Sequence, residues 1–190
     1  MNLPNKLTIA RLVMIPLFTA VFYLTLIPYN YVISALIFVI AASTDFLDGY
    51  IARKYNLVTN LGKFLDPIAD KVLVSTALII MLVPIADIIL PFYAAIAVAV
   101  ILARELIVSG FRIIAASKGM VLAADKAGKI KTFVQDVAIV VLLVGADVTP
   151  GLYGILNVAG LILLGIATLL TIISGVECMV KNSSVLKDEK

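Results

Sequence analysis

The chain has 190 residues, 63% of them hydrophobic and 14% charged, with a mean hydropathy of +1.15. A water-soluble domain is about half apolar and a quarter charged, so one aqueous core does not explain this composition, whereas a bilayer does. The net charge of +3 is too small to mark a nucleic-acid surface, and the single cysteine, Cys178, excludes an internal disulfide.

Six apolar runs follow in chain order: 12–27, 31–42, 72–83, 88–102, 133–146 and 152–176. The first has basic residues before it but no small-residue cleavage pattern after it, so it reads as a span and not as a signal peptide. The second and third fall short of the roughly 20 residues that a span needs. Both abut a segment rich in Asp, and running the second through Arg53 and starting the third near Gly62 gives two full-length helices. Pro67 disfavours a helical conformation at Asp66, so the third helix either begins with Asp66 as its N-cap or begins near Gly62 and bends. A fourth helix starting at Ile88 places Arg104 about 24 Å along it, near the membrane edge. The sixth run adds only apolar character and ends near Cys178, which reads as an inert thiol. The expectation is an all-α polytopic membrane protein of six spans. Residues 1–181 are expected to form one six-helix membrane domain, and 182–190 a mobile polar tail.

All 15 Lys and Arg residues lie at one side of this arrangement. They flank the first helix, the turn between the second and third, the link between the fourth and fifth, and the C-terminal end. The opposite turns, around 28–30, 84–87 and 146–151, have none. The positive-inside rule then places both termini in the cytoplasm.

Four acids stand out within 26 positions: Asp45, Asp48, Asp66 and Asp70. Ionisable groups in spans are costly and usually functional. Asp45 and Asp48 share a helix face at i, i+3, and Asp66 and Asp70 share one at i, i+4. In an antiparallel hairpin the pairs have a common centre, so Asp48 meets Asp66 in depth and Asp45 meets Asp70 one turn deeper. Four converging carboxylates need cations or protons to neutralise them. The chain has no histidine, and an all-oxygen set suits hard ions such as Mg2+ or Mn2+. Four acids exceed what one such ion usually takes, which points to two, the arrangement that clamps attacking and leaving oxygens in phosphoryl displacement. Gly49 and Gly62 remove side chains beside the acids, so a ligand could approach the backbone closely. Arg53, one turn beyond Gly49, suits a phosphate.

The segment Asp45-Phe-Leu-Asp48-Gly49-Tyr-Ile-Ala52-Arg53, eight residues, then Gly62-Lys-Phe-Leu-Asp66-Pro-Ile-Ala-Asp70 resembles the signature of the CDP-alcohol phosphotransferases, with every fixed position in place. That family has six membrane helices and forms homodimers. The resemblance implies that Asp45, Asp48 and Asp66 ligate metal. Asp70 would be a ligand or neighbour of the metals and also the general base. Gly49, Ala52, Arg53 and Gly62 would line the CDP pocket. The stretches Asn5-Lys-Leu-Thr8-Ile-Ala-Arg11, 66–74, 103–112 and Gly128-Lys-Ile-Lys-Thr132 are similar to the bacterial phosphatidylglycerophosphate synthases. This adds Asn5 and Thr8 to the CDP-lipid site.

That resemblance implies two divalent cations, a CDP-diacylglycerol donor, glycerol 3-phosphate as acceptor and an active site at the cytoplasmic face of the cell membrane, among membrane lipids. Arg104 and Arg112, with Lys126 and Lys129, are candidates for the acceptor phosphate, and Glu105 for orienting an arginine. Synthesis of cardiolipin, inositol lipid or serine lipid stays open within the family. Membrane prenyltransferases also hold magnesium diphosphate on Asp motifs, but lack this Gly-x2-Ala-Arg arrangement. A cation transporter would need a charged path through the opposite halves of the spans, and they carry none.

Overall fold

The computed structural model describes residues 2–55, 60–83, 90–118, 120, 126–148 and 150–183. Within its helices, the side chains at 3–4, 45–53, 60–61, 63–64, 126–127, 150–151 and 153 lie outside the description, as does the tail from 184 onward. The described residues form six helices: α1 (Leu3–Tyr23), α2 (Asn30–Lys54), α3 (Asn60–Met81), α4 (Ala94–Ser117), α5 (Lys126–Ala146) and α6 (Pro150–Lys181). The all-α class is as expected, and so is the α2–α3 hairpin, whose helices run through Lys54 and from Asn60. Pro67 sits inside α3, so the helix starts before it rather than at Asp66. Lacking an N–H, Pro67 cannot supply the helical donor to the Lys63 carbonyl.

The fourth helix departs from expectation. Leu90–Tyr93 form a turn, in which the Pro91 carbonyl accepts from Ala94 N at 2.8 Å, and α4 begins only at Ala94. Proline has no N–H and steers the residue before it away from the helical region. Arg104 therefore lies about 15 Å along α4, with about 20 Å of helix still beyond it. It is a mid-helix residue, and helix α4 runs on well past it.

Three of the helical segments, Asn5–Tyr23, Ala94–Ser117 and Gly154–Lys181, are long and apolar enough to cross a membrane, yet no more than 28% of each is buried. Leu26, Phe92, Leu106, Ile113, Phe133 and Val180 all point outward. Helices apolar on their outer as well as inner faces suit lipid, not water.

Inside, Phe18, Phe22, Tyr31 and Phe38 knit α1 to α2, with ring centroids 5.1–6.4 Å apart. Leu73 and Leu78 of α3, Ile101 of α4 and Ile139 and Leu142 of α5 complete this core. Helices α5 and α6 approach closely because of glycine. A Cβ on Gly160 would lie 2.6 Å from Leu142 Cγ, and one on Gly145 would lie 3.1 Å from Leu156 Cβ.

One end of the bundle is tied by polar bonds. Asn30 Nδ2 donates to the Phe22 carbonyl at 2.7 Å, across a turn in which Tyr29 has φ 59°. Asp147, in the α5–α6 turn, accepts from Val32 N at 2.7 Å. A side chain 115 positions away thus satisfies one of the donors that α2 leaves open in its first turn.

Candidate active site

Asn5, Thr8 and Arg11 repeat every three residues along α1, and all three are buried. Buried polar groups are tolerable where they are hydrogen-bonded. Thr8 Oγ1 donates to Asp66 Oδ1 at 2.6 Å, joining α1 to α3. Arg11 Nε donates to the Ala41 carbonyl at 3.1 Å and to Thr44 Oγ1 at 3.4 Å, joining α1 to the turn of α2 that ends just before Asp45. One polar face of α1 therefore touches both arms of the acidic hairpin. Arg11 was seen in the sequence only as a basic flank; its three-residue spacing from Thr8 was the available signal.

Asp66 is partly buried, and Gly62 is buried one turn before it. The side chains of Asp45, Asp48, Ala52 and Arg53, and any contacts at Gly49, lie outside the described residues. Among the described residues no three metal-ligating side chains converge on a point. The donor chemistry nevertheless fits a hard divalent cation: Asp66 and Asp70 offer carboxylate oxygens at i, i+4 on α3, and the chain has no histidine to add an imidazole ligand.

One turn along α3, Asp70 faces different neighbours. It lines a cavity of about 260 Å³ together with Pro67, Lys71, Arg104, Glu105, Arg112, Gly128, Lys129 and Thr132. Three of the four basic residues expected for the acceptor, Arg104, Arg112 and Lys129, are thus brought together beside Asp70. The side chain of the fourth, Lys126, lies outside the described residues. Lys71 had been read only as a charge flanking the hairpin turn. Positions 67, 70 and 71 share a helix face at i, i+3 and i+4, which was the signal for it.

A polar lattice backs this cavity. Glu105 Oε1 accepts from Arg104 Nη1 at 3.0 Å and from Lys131 Nζ, and Lys131 is only 3% exposed. Lys71 Nζ is paired with Ser109 Oγ, which in turn donates to the Glu105 carbonyl. Arg104 Nη2 donates to Ser174 Oγ at 2.9 Å. Helix α6 therefore contributes buried polar contacts, contrary to its apolar reading in the sequence. Cys178 is buried against Val108, Phe111 and Ala115.

A third feature is a groove of about 710 Å³ between α2 and α5. Phe38, Val39, Ala42, Phe133, Val137, Val140 and Val141 give it apolar walls, with Ser43 and Asp136 as its polar members.

Comparison with known proteins gives a consistent picture. The sequence profile of the family described as CDP-alcohol phosphatidyltransferase matches residues 1–173. The chain is 47% identical over 174 residues to a CDP-diacylglycerol--glycerol-3-phosphate 3-phosphatidyltransferase of Rickettsia bellii (strain RML369-C), covering 92% of this chain and 91% of the relative. It is 42% identical over 198 residues to the protein of the same name from Bacillus subtilis (strain 168), covering 98% and 97%. It is 41% identical over 146 residues to that of Salmonella typhimurium, covering 75% and 76%. The chain belongs to the CDP-alcohol phosphatidyltransferase family.

Proposed function

We propose that this protein transfers the phosphatidyl group of CDP-diacylglycerol to the terminal hydroxyl of glycerol 3-phosphate, releasing CMP and forming phosphatidylglycerol phosphate. The observation that carries the reading is the cavity in which Asp70 stands beside Lys71, Arg104, Arg112 and Lys129. A carboxylate among cations suits an acceptor with both a hydroxyl to deprotonate and a phosphate to hold. The relatives' shared name points to the same acceptor.

In this reading six helices span the cell membrane, with both termini and the site on the cytoplasmic side. The support is the sequence pattern, in which the segments on one side of the six-span arrangement hold all the Lys and Arg residues, and the outward apolar surfaces of the three long apolar segments. Residues 1–181 act as one catalytic domain, with 182–190 as a tail, and the family resemblance favours a homodimer.

Asp45, Asp48, Asp66 and Asp70 would hold two divalent ions. When bound, Mg2+ or Mn2+ would polarise the pyrophosphate and offset the charge that leaves with CMP. Thr8 orients Asp66 through its hydroxyl. Gly49, Ala52, Arg53 and Gly62, with Asn5, border the cytidine diphosphate, while the α2–α5 groove offers apolar walls to an acyl chain. Arg104, Arg112 and Lys129, with Lys126, bind the acceptor phosphate and aim its free hydroxyl at the lipid-side phosphorus. Asp70 takes the hydroxyl proton as the new P–O bond forms and the bond to CMP breaks. The test is product analysis after incubating purified protein with CDP-diacylglycerol and a panel of labelled alcohols. Phosphatidylglycerol phosphate as the dominant lipid supports the assignment, and a product made only from inositol, serine or phosphatidylglycerol refutes it.

A further inference from the structure

We infer that the Ser174–Gly175 step of α6 is a positioning device for Arg104, fixing its guanidinium at the wall of the acceptor cavity and so setting the affinity for the phosphorylated acceptor. The inference rests on the acceptor role proposed above for that cavity.

An arginine in mid-helix has a long side chain with many rotamers, and ordering it has an entropic cost. Three contacts fix Arg104. Nη1 donates to Glu105 Oε1 at 3.0 Å on its own helix. Nη2 donates to Ser174 Oγ at 2.9 Å on α6. The stem lies against Gly175, where a Cβ would stand 3.0 Å from Arg104 Cγ and 3.3 Å from its Nε. Ser174 is itself buried, and its hydroxyl donates to the Thr171 carbonyl at 3.2 Å. A hydroxyl that has directed its proton elsewhere offers lone pairs to the guanidinium, so the direction of this contact is set from behind.

The two bonds take one N–H from each terminal nitrogen. No other described residue accepts from the remaining N–H groups, and Arg104 Nε is buried without a partner among the described residues. A guanidinium aligned on two sides and still holding terminal donors suits a phosphate at the third. Neither Ser174 nor Gly175 lines the cavity, so both act through Arg104.

The experiment uses the full-length protein in lipid nanodiscs, with initial rates of CMP release measured against each substrate separately. Ser174→Ala and Gly175→Ala should each raise the KM for glycerol 3-phosphate about tenfold, the size of one lost charge-assisted hydrogen bond, with kcat and the KM for CDP-diacylglycerol held within about twofold. Ser174→Thr, which keeps the hydroxyl, should recover most of the acceptor affinity. Ser174→Ala combined with Arg104→Ala should be no worse than Arg104→Ala alone, since the serine acts only through the arginine. The inference is overturned by an unchanged acceptor KM in Ser174→Ala, by an equal loss toward both substrates, or by additive effects in the double variant. A wild-type protein that makes no lipid from glycerol 3-phosphate would instead refute the proposed activity, and the acceptor role of this step with it.

Discussion

Removing the Glu105 carboxylate tests the lattice behind the Asp70 cavity most directly. Its Oε1 is shared by Arg104 and Lys131, and Lys131 is 3% exposed. In Glu105→Ala the Lys131 ammonium would stay buried without its acid. Breaking a buried pair by deleting one partner costs about 3–5 kcal/mol, because the remaining charge is uncompensated. For a chain of this length that corresponds to a fall in the unfolding midpoint of about 6–20 °C. Restoring electroneutrality should reverse much of it, so Glu105→Ala/Lys131→Met should regain at least half of the loss. Cys178 supplies the assay: it is the chain's one cysteine and is buried between α4 and α6. A thiol-reactive fluorophore therefore reports the exposure of this site as detergent-solubilised protein is heated. A Glu105→Ala midpoint within about 2 °C of wild type would refute the argument, since that is at most about 1 kcal/mol. So would a double variant less stable than Glu105→Ala alone.

Other consequences are separable. Asp70→Asn should cut the rate of CMP release by about 10²–10⁴-fold while binding of CDP-diacylglycerol, followed by equilibrium filtration, persists; full activity would remove Asp70 as the base. On the metal role proposed for Asp66, Thr8→Val, which deletes its hydroxyl donor, should raise the Mg2+ concentration for half-maximal activity by about tenfold or more. Gly160→Ala drives a methyl toward Leu142 Cγ, a branch point that cannot swing aside, and should destabilise by about 1–3 kcal/mol in the Cys178 assay. Asp147→Ala removes the cap on α2 and should cost about 1–2 kcal/mol with substrate KM values unchanged.

The all-helical class and the limits of the acidic hairpin were legible because they follow from local rules. Charged residues ended the apolar runs, and the spacing of Asp66 and Asp70 fixed a helix face. The start of α4 was misread because hydrophobicity marks environment, not conformation: Leu90–Tyr93 is as apolar as a helix, yet it holds a turn, and Pro91 was the local warning. The polar contribution of α6 was hidden for a different reason. Ser174 is a single small hydroxyl in an apolar run, and only its bond with Arg104, made across helices, gives it a purpose. Lys71 was overlooked because adjacent residues do not share a helix face in general, although 67, 70 and 71 converge on one cavity.

The turn of α3 between Asp66 and Asp70 divides two kinds of surroundings, and this division bears on how a lipid and a water-soluble substrate could meet. Asp66 is held by a hydroxyl of α1, on the side where Arg11 also anchors α2 just ahead of Asp45. Asp70 looks toward the cations of α4 and α5. With both carboxylates at i, i+4 on a continuous helix, about 6 Å of axial rise separates the two surroundings. Rigid helix positions hold reacting groups more precisely than loops do. In the proposed reaction the donor's pyrophosphate belongs on the Asp66 side and the acceptor's phosphate on the Asp70 side. The two demands on α3 are then distinct. Substitutions on the α1 face should disturb donor and metal use, and substitutions on the α4 and α5 face should disturb acceptor use. Comparing Thr8→Val with Lys71→Met in one assay tests this partition: a rise in the acceptor KM confined to Lys71→Met supports it, and equal changes in both substrates' KM values in both variants would contradict it.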